Sequence, residues 1–150
     1  MVTSMQKIHR SIQILLAEDN LGDVVLIREV FKAAKRPVHV QRVKDGEEAL
    51  EYLKRRGRFT EAERPDLVLL DLKMPKKSGI EVLEEIKADP RLVEIPVIVL
   101  TNSKLDSDIR KAYEYQANFY LVKPSDLEEL YQALRYVEDI WLRSVEDKME

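Results

Sequence analysis

Cysteine is absent from this sequence, which excludes disulfide bonds, thiolate metal sites and cysteine nucleophiles together. This absence is compatible with a reducing compartment, and we expect a cytoplasmic protein. Long apolar runs are also missing, because no segment approaches the length of a membrane span. Residues 1–11 contain no apolar stretch of signal-peptide length, so we expect them to form a short N-terminal tail.

Neither sign of charge dominates the composition. The 25 basic and 28 acidic residues give a net charge of −3, which argues against a module that binds nucleic acid through phosphate contacts. The basic run Lys54–Arg58 is followed by Glu61 and Glu63, which is typical of a solvated loop. The only histidines, His9 and His39, stand outside any metal-ligand pattern. We therefore expect neither nucleic acid nor membrane as a partner.

Short apolar runs alternate five times with segments of helical period. Strands are predicted at about 14–17, 38–43, 67–70, 97–100 and 119–122. Helices are predicted from Asn20, over 47–55, from Ser78, over 104–115 and from Ser125, and the last carries the stripe Leu127, Leu130, Leu134, Val137 and Trp141. Ser78 and Ser125 each open a Ser-x-x-Glu capping box. This alternation predicts an α/β fold with a parallel (βα)5 sheet between two helical layers, in the flavodoxin-like order 2-1-3-4-5.

Four of the apolar runs lead into residues suited to phosphate or Mg²⁺ chemistry. These residues are Glu18 and Asp19 after the first strand, Asp71 after the third, Thr101 after the fourth and Lys123 after the fifth. In an open parallel sheet the reactive crevice lies outside the carboxyl ends of the strands, so these side chains are expected to converge. Each residue alone has an ordinary explanation as a cap or a turn residue, and only their coincidence indicates a site.

The chemistry of the predicted crevice favours phosphoryl transfer. Mg²⁺ usually takes one or two protein carboxylates, and we expect Asp19 and Asp71 to bind it directly and Glu18 through a water. Lys123 supplies a positive charge and Thr101 a hydroxyl for phosphate oxygens. Asp71 is then the nucleophile.

These residues, together, resemble those of a two-component response-regulator receiver domain. The resemblance rests on Glu18-Asp19, Asp71, Thr101 and Lys123-Pro124, whose spacings are those the family typically shows. The segment Leu70-Asp71-Leu72-Lys73-Met74-Pro75, followed by Ser78-Gly79, matches the family's sequence around its phosphoacceptor. The resemblance covers about residues 12–143, which we assign to the domain, and leaves 144–150 as a C-terminal tail.

The resemblance implies that Asp71 takes a phosphoryl group from a sensor histidine kinase in a Mg²⁺-dependent reaction. It implies that the Lys73 carbonyl completes the metal site and that the bond before Pro124 is cis. Lys73 and Ser103 occupy positions that tune the phosphoryl lifetime. The protein would not be an enzyme in the ordinary sense, although it would contribute to its own phosphorylation and slow autodephosphorylation.

Two features point to a subgroup of the family. The segment Lys54–Arg64 is longer than in the single-domain chemotaxis regulator, and the chain extends beyond Val137. In these respects it is most similar to stand-alone receivers that partner phytochrome-type histidine kinases. We expect no output domain after Glu150, so the protein would signal by changing partners or by passing its phosphoryl group onward.

The output is expected at the aromatic end of the chain. Most of the aromatic residues fall on the fourth helix, fifth strand and fifth helix, namely Tyr113, Tyr115, Phe119, Tyr120, Tyr131, Tyr136 and Trp141. We expect Phe119 and Trp141 to pack in the core, and the exposed tyrosines to mark a protein interface. Thr101 and Tyr120 match the family's switch pair. The interface would bind a second copy of the chain or a downstream protein.

Three other functions fit the same fold class. A flavin-binding carrier needs a phosphate loop rich in Ser, Thr and Gly after its first strand, whereas Glu18–Asp23 is acidic. A phosphatase of the haloacid-dehalogenase kind needs an acid two residues after its nucleophile, where Lys73 stands. A phosphorylation-independent adaptor, or pseudo-receiver, remains open, although such proteins often lack some of the site residues found in this sequence.

Overall fold

The computed structural model describes the backbone of residues 11–149 and the side chains of residues 11–139. Within this range the strands are β1 (Ile12–Ala17), β2 (Val38–Val43), β3 (Leu67–Leu70), β4 (Val97–Thr101) and β5 (Phe119–Val122). The helices are α1 (Leu21–Lys32), α2 (Gly46–Leu53), α3 (Gly79–Ala88), α4 (Asp106–Glu114) and α5 (Leu127–Met149), with a 3₁₀ turn at Gly57–Phe59. None of the helices in this range is both long and apolar enough to cross a membrane.

The five strands form one parallel sheet in the order β2-β1-β3-β4-β5, as predicted. The register aligns Ala17 with Leu70, and Leu70 with Val99, across the three central strands. Thr101 at the end of β4 pairs with Val122 at the end of β5. The carboxyl ends of β1, β3, β4 and β5 therefore meet along one edge of the sheet.

The central strands are buried on both faces because helices cover each side, which explains their continuous apolar runs. One core cluster joins alternate strand residues such as Leu15 and Val68 to α2, α3 and α4. The other joins their neighbours, such as Ile14 and Leu69, to α1 and α5. The fold is the predicted three-layer sandwich, and its packing fixes where the strand ends lie.

The starts of α1, α2 and α3 agree with the sequence to within a residue, whereas those of α4 and α5 differ by one or two residues. Asn20 and Ser78 cap α1 and α3 as predicted, with side chains that accept from the backbone N–H groups of residues 23 and 81. The predicted cap Ser125 is wrong by one residue, because Asp126 Oδ1 accepts from Glu128 N at 2.8 Å. An aspartate carboxylate also interacts favourably with the helix N-terminus, which explains the shift.

Helix α5 is longer than the predicted domain boundary requires. It continues to Met149, so the segment assigned to a C-terminal tail is helical over nearly its whole length. Leu130, Leu134 and Val137 of the predicted stripe are buried, whereas Leu127 in the first turn is 54% exposed. The Trp141 side chain, like residues 1–10 of the predicted N-terminal tail, lies outside the described part of the chain. Helix α2 ends two residues earlier than predicted. Helix α4 begins two residues later and ends one residue earlier than predicted.

Candidate functional site

The residues that follow four strands lie around one cavity of about 390 Å³ at the carboxyl edge of the sheet. Its lining comprises Glu18, Asp19, Asn20, Asp23, Asp71, Lys73, Thr101, Asn102 and Lys123. All the strand-end residues singled out in the sequence are brought together there. The cavity is the crevice expected outside the carboxyl ends of parallel strands.

Three acidic side chains in this cavity form a compact oxygen cluster. One carboxylate oxygen from each of Glu18, Asp19 and Asp71 lies within 4.8 Å of the others. Glu18 and Asp71 are buried, whereas Asp19 is exposed at the mouth. A hard divalent cation prefers such oxygens, and its charge would relieve their mutual repulsion. The donor set therefore fits Mg²⁺ or Mn²⁺.

Lys73 lies beside this cluster in the loop after β3. Its backbone N–H donates to Asp71 Oδ1 at 3.4 Å, a long contact that leaves the carboxylate free for other partners. The side chain of Lys73 is exposed at the rim of the cavity. Its role as a carbonyl ligand stays a prediction.

The Lys123 ammonium is buried among carboxylates. It donates a hydrogen bond to Glu18 Oε1, and Nζ lies 2.8 Å from Asp23 Oδ2 and 3.5 Å from Asp71 Oδ2. Burial by itself lowers the pKa of Lys123, but the hydrogen bonds to Asp23 and Glu18 outweigh it and raise the pKa to about 12. The amine therefore stays charged and ready to bind an anionic oxygen.

At Glu18, in contrast, burial changes the pKa more than the hydrogen bond from Lys123 does. Burial raises its pKa from an ordinary value of 4.5 to about 7, although the hydrogen bond from Lys123 lowers it. The nearby Asp71 carboxylate adds to the rise. Additional positive charge in the cavity would therefore favour the ionised form of Glu18.

The expectation of a cis bond before Pro124 is wrong for this structure, since no cis peptide bond occurs in the described residues. With a trans bond, the Lys123 side chain still reaches Glu18, Asp23 and Asp71. Trans is also the intrinsically preferred isomer of an X-Pro bond. The position of the ammonium therefore does not need the cis isomer here.

Thr101 is joined to Tyr120 through the loop between β4 and α4. Thr101 is buried, and its Oγ1 accepts from Ser103 N at 3.4 Å. The Ser103 hydroxyl donates to Asp108, while the Ser103 carbonyl accepts from the Tyr120 hydroxyl at 2.9 Å. A displacement of Thr101 would therefore also move the contacts of Tyr120, a half-buried aromatic residue on β5.

Two polar residues that the sequence reasoning passed over help to build the cavity. Arg42 on β2 donates through Nε to the Glu18 carbonyl at 2.9 Å and through Nη2 to the Asp19 carbonyl at 3.1 Å, which holds the loop after β1. Asp23 in the first turn of α1 contacts Lys123. An arginine on an edge strand and an acid at a helix start are both common, so neither carries a distinctive sequence signal.

Two glycines fix the loop that carries Asp71. A Cβ added to Gly79 would lie 2.2 Å from the Asp71 carbonyl oxygen, and one added to Gly46 would lie 2.1 Å from the Lys77 carbonyl oxygen. The Gly79 N–H also donates to the Leu72 carbonyl at 2.8 Å. The starts of α2 and α3 therefore approach the acceptor loop as closely as backbone atoms allow.

The aromatic residues of α4, β5 and α5 are partly exposed. Tyr113 and Tyr136 are 49% and 62% exposed, whereas Tyr115 packs partly against the core. The expectation that Phe119 is a core residue is wrong, because Phe119 opens the edge strand β5 and is 39% exposed. The Tyr113 hydroxyl accepts from Tyr120 N at 3.2 Å on this edge.

Comparisons with known proteins agree with the geometry. The model of the response regulator receiver domain matches residues 14–135. The chain is 41% identical over 132 residues to the response regulator Rcp1 of Synechocystis sp., covering 88% of this chain and 90% of Rcp1. The Mn²⁺-bound structure of Rcp1 matches with a TM-score of 0.82, 41% identity and coverage of 87% of this chain and 94% of that one.

A second similar structure is that of the phosphorylated cyanobacterial phytochrome response regulator RcpA. It superposes with a TM-score of 0.86 and 44% identity, covering 90% of this chain and 96% of RcpA. The similarity extends over almost the whole length of both chains.

Proposed function

The chain belongs to the response regulator receiver domain family, and we propose that Asp71 is its phosphoacceptor, phosphorylated by the phosphohistidine of a sensor histidine kinase in the cytoplasm. The single observation that carries this assignment is the surroundings of the Asp71 carboxylate. It is buried at the end of a central strand, clustered with Glu18 and Asp19 and 3.5 Å from the Lys123 ammonium.

In the proposed reaction an Asp71 carboxylate oxygen attacks the phosphorus of the phosphohistidine. The new O–P bond forms as the N–P bond breaks, and the imidazole leaves with the electron pair of that bond and takes up a proton. Lys123 and Thr101 are positioned to bind oxygens of the transferred group by charge and by hydrogen bond. Mg²⁺, bound by Glu18, Asp19, Asp71 and the Lys73 carbonyl, would supply further neutralisation of those oxygens.

The test is phosphorylation of the full chain by acetyl phosphate with Mg²⁺. One phosphoryl group should be added, and hydroxylamine should remove it because the product is an acyl phosphate. Asp71→Asn should abolish labelling, whereas Asp106→Asn, at an exposed position in the first turn of α4, should label like the wild type. Equal labelling of Asp71→Asn would overturn the assignment of Asp71 as the acceptor, whereas an unlabelled wild type would favour a phosphorylation-independent adaptor.

The similarity to RcpA, which is described as a phytochrome response regulator, supports a kinase partner of the phytochrome type. Phosphotransfer profiling against the histidine kinases of the source organism tests this part of the proposal. A kinetic preference for a phytochrome-type kinase is expected, and preference for another kinase would contradict it.

The proposed output is a change in the face formed by α4, β5 and α5. Phosphate on Asp71 would draw Thr101 toward it, and the contacts of Ser103 would pass this movement to Tyr120. Both arrangements would be populated beforehand, with phosphorylation biasing them through differential contacts. Tyr113 and Tyr136 are exposed on this face and suit an interface with a second copy or a target protein.

A further inference from the structure

Asp23 is an acidic residue of the cavity to which the proposed chemistry gives no role. Its Oδ2 lies 2.8 Å from Lys123 Nζ, closer than the 3.5 Å between that ammonium and Asp71. The Asp23 side chain is only 30% exposed, and Lys123 is 8% exposed. This ion pair is therefore mostly buried, where hydrogen bonds between charged groups are strong and directional.

The ordinary reading of Asp23 is an acid that favours a helix N-terminus. Asp23 does lie in the first turn of α1. Its backbone N–H, and not its carboxylate, takes part in the helix cap by donating to Asn20 Oδ1 at 3.0 Å. The carboxylate reaches instead across to Lys123 after β5. Its contact is with the site rather than with the end of its own helix.

The other two partners of Lys123 are also candidate ligands of the divalent cation. Glu18 and Asp71 belong to the oxygen cluster that fits a divalent cation, whereas Asp23 does not. An ammonium held only by Glu18 and Asp71 would compete with the cation and lie against the nucleophile. A third carboxylate outside the cluster draws the ammonium to one side of Asp71 and leaves room for the incoming group.

We propose that Asp23 is a positioning residue for phosphoryl transfer, holding the Lys123 ammonium beside Asp71 by an ion pair so that it can meet the transferred phosphoryl oxygens. This inference rests on the proposed function of Asp71. Among the described hydrogen bonds and ion pairs, the Asp23 carboxylate contacts Lys123 and not Asp71, so it acts through Lys123. The required property is an oxygen acceptor at this place, with its charge adding strength to the contact.

The experiment separates position from charge with two variants that remove the same charge. Asp23→Ala removes the acceptor, whereas Asp23→Asn keeps an amide oxygen for the ammonium. With acetyl phosphate and Mg²⁺, Asp71 attacks phosphorus as the acyl O–P bond breaks and acetate leaves. Asp23→Ala should be phosphorylated about tenfold more slowly than the wild type. Asp23→Asn should lie between the two.

If charge alone mattered, both variants would behave alike, and the lower negative charge would speed reaction with this anionic donor. Equal rates in Asp23→Ala and Asp23→Asn, or a wild-type rate in Asp23→Ala, would overturn the proposal. Asp106→Ala removes an exposed first-turn acid from α4 and serves as the control for a helix-start effect. Its phosphorylation rate should not change, and thermal unfolding should find all the variants folded.

The decisive comparison measures the phosphorylation rate of Asp23→Ala in a Lys123→Ala background. Because Asp23 acts through Lys123, Asp23→Ala should add no further slowing there, whereas a structural role for Asp23 would persist. A crystal structure of Asp23→Ala should show Lys123 Nζ closer to Asp71 than the 3.5 Å seen here, and an unmoved Nζ would contradict the proposal. Failure of the wild type to label at Asp71 would refute the proposed function itself, so the two failures are distinguishable.

Discussion

Glu18 carries a buried and unfavourable charge in the cavity. It is 1% exposed, and burial holds its pKa near 7 despite the hydrogen bond from Lys123. Because this folded-state pKa lies above the ordinary 4.5, proton uptake by Glu18 stabilises the metal-free protein. That contribution is fully present below about pH 4.5 and is lost as the pH rises through about 7. A divalent cation acts in the opposite direction, since it favours the ionised form.

Mg²⁺ binding should therefore weaken on mild acidification. As the pH falls below about 7, a proton on Glu18 competes with the cation, and the apparent Kd should rise by up to about tenfold per pH unit. Isothermal titration calorimetry between pH 8 and about pH 5.5 measures this dependence. Glu18→Gln should bind Mg²⁺ more weakly at pH 8 but with little change over the same window.

The Glu18→Gln comparison separates the Glu18 titration from any general effect of pH. A pH dependence in this variant as steep as in the wild type would assign the effect to another group. A flat wild-type profile would contradict the raised pKa of Glu18.

At the scale of elements, the acceptor loop is held by the starts of two helices rather than by side chains. Gly46 opens α2 and Gly79 opens α3, and each has backbone atoms of the loop where a Cβ would lie. Ser78 caps α3 directly after this loop, so the cap and the glycine act on the same few residues. Asp71 is thereby placed by main-chain packing, which has little freedom to adjust.

Gly79→Ala should move this loop. The added Cβ would meet the Asp71 carbonyl oxygen at 2.2 Å and Leu72 Cα at 2.7 Å, so the backbone must shift. We expect a loss of about 1–3 kcal/mol in the free energy of unfolding, measured by urea denaturation, together with slower phosphorylation. Gly22→Ala on α1 is the comparison variant, because its Cβ meets no backbone atom and only Asn20 Oδ1, at 3.1 Å.

Gly22→Ala should change stability much less than Gly79→Ala, because the higher helix propensity of alanine offsets the small shift needed at the capping Asn20 oxygen. Wild-type stability and labelling in Gly79→Ala would show that the loop can relax, and would contradict its rigid placement.

At the scale of the whole molecule, the cavity adjoins the face formed by α4, β5 and α5. They share β4, whose end carries Thr101, and the loop to α4, whose Ser103 contacts Tyr120. The open edge at β5 is partly closed by the Tyr113 hydroxyl, which accepts from a strand N–H. Exposed aromatic side chains beside a sheet edge are favourable contacts for another protein.

Beryllofluoride with Mg²⁺, which mimics the acyl phosphate, should shift sedimentation velocity profiles toward a dimer if a second copy is the partner. Tyr136→Ser should weaken that association because it removes an exposed ring from the face. Val25→Ser, which alters an exposed apolar residue on α1, should not. Unchanged association, together with unchanged solvent exposure of Tyr113, Tyr115 and Tyr120, would contradict a phosphorylation-sensitive face.

Much of the architecture could be predicted from the chain because it depends on local patterns. Strands buried on both faces need continuous apolar runs, and the helices between them provide the crossover connections that parallel pairing requires. Strand ends then determine the site, so Glu18, Asp19, Asp71, Thr101 and Lys123 were all placed correctly around the cavity. The caps Asn20 and Ser78 follow from equally local hydrogen bonding.

Only the tertiary structure decided which charged side chains contact one another. Asp23 and Lys123 are far apart in sequence, and their contact exists because α1 and β5 reach the same edge of the sheet. The same holds for Arg42 beside the Glu18 loop, for the close approaches of Gly46 and Gly79, and for the exposed ring of Phe119. Residue type and period determine which elements form and which side chains end them. Burial and distance between non-local elements determine the pKa of Glu18 and the partners of Lys123, and no local pattern encodes these quantities.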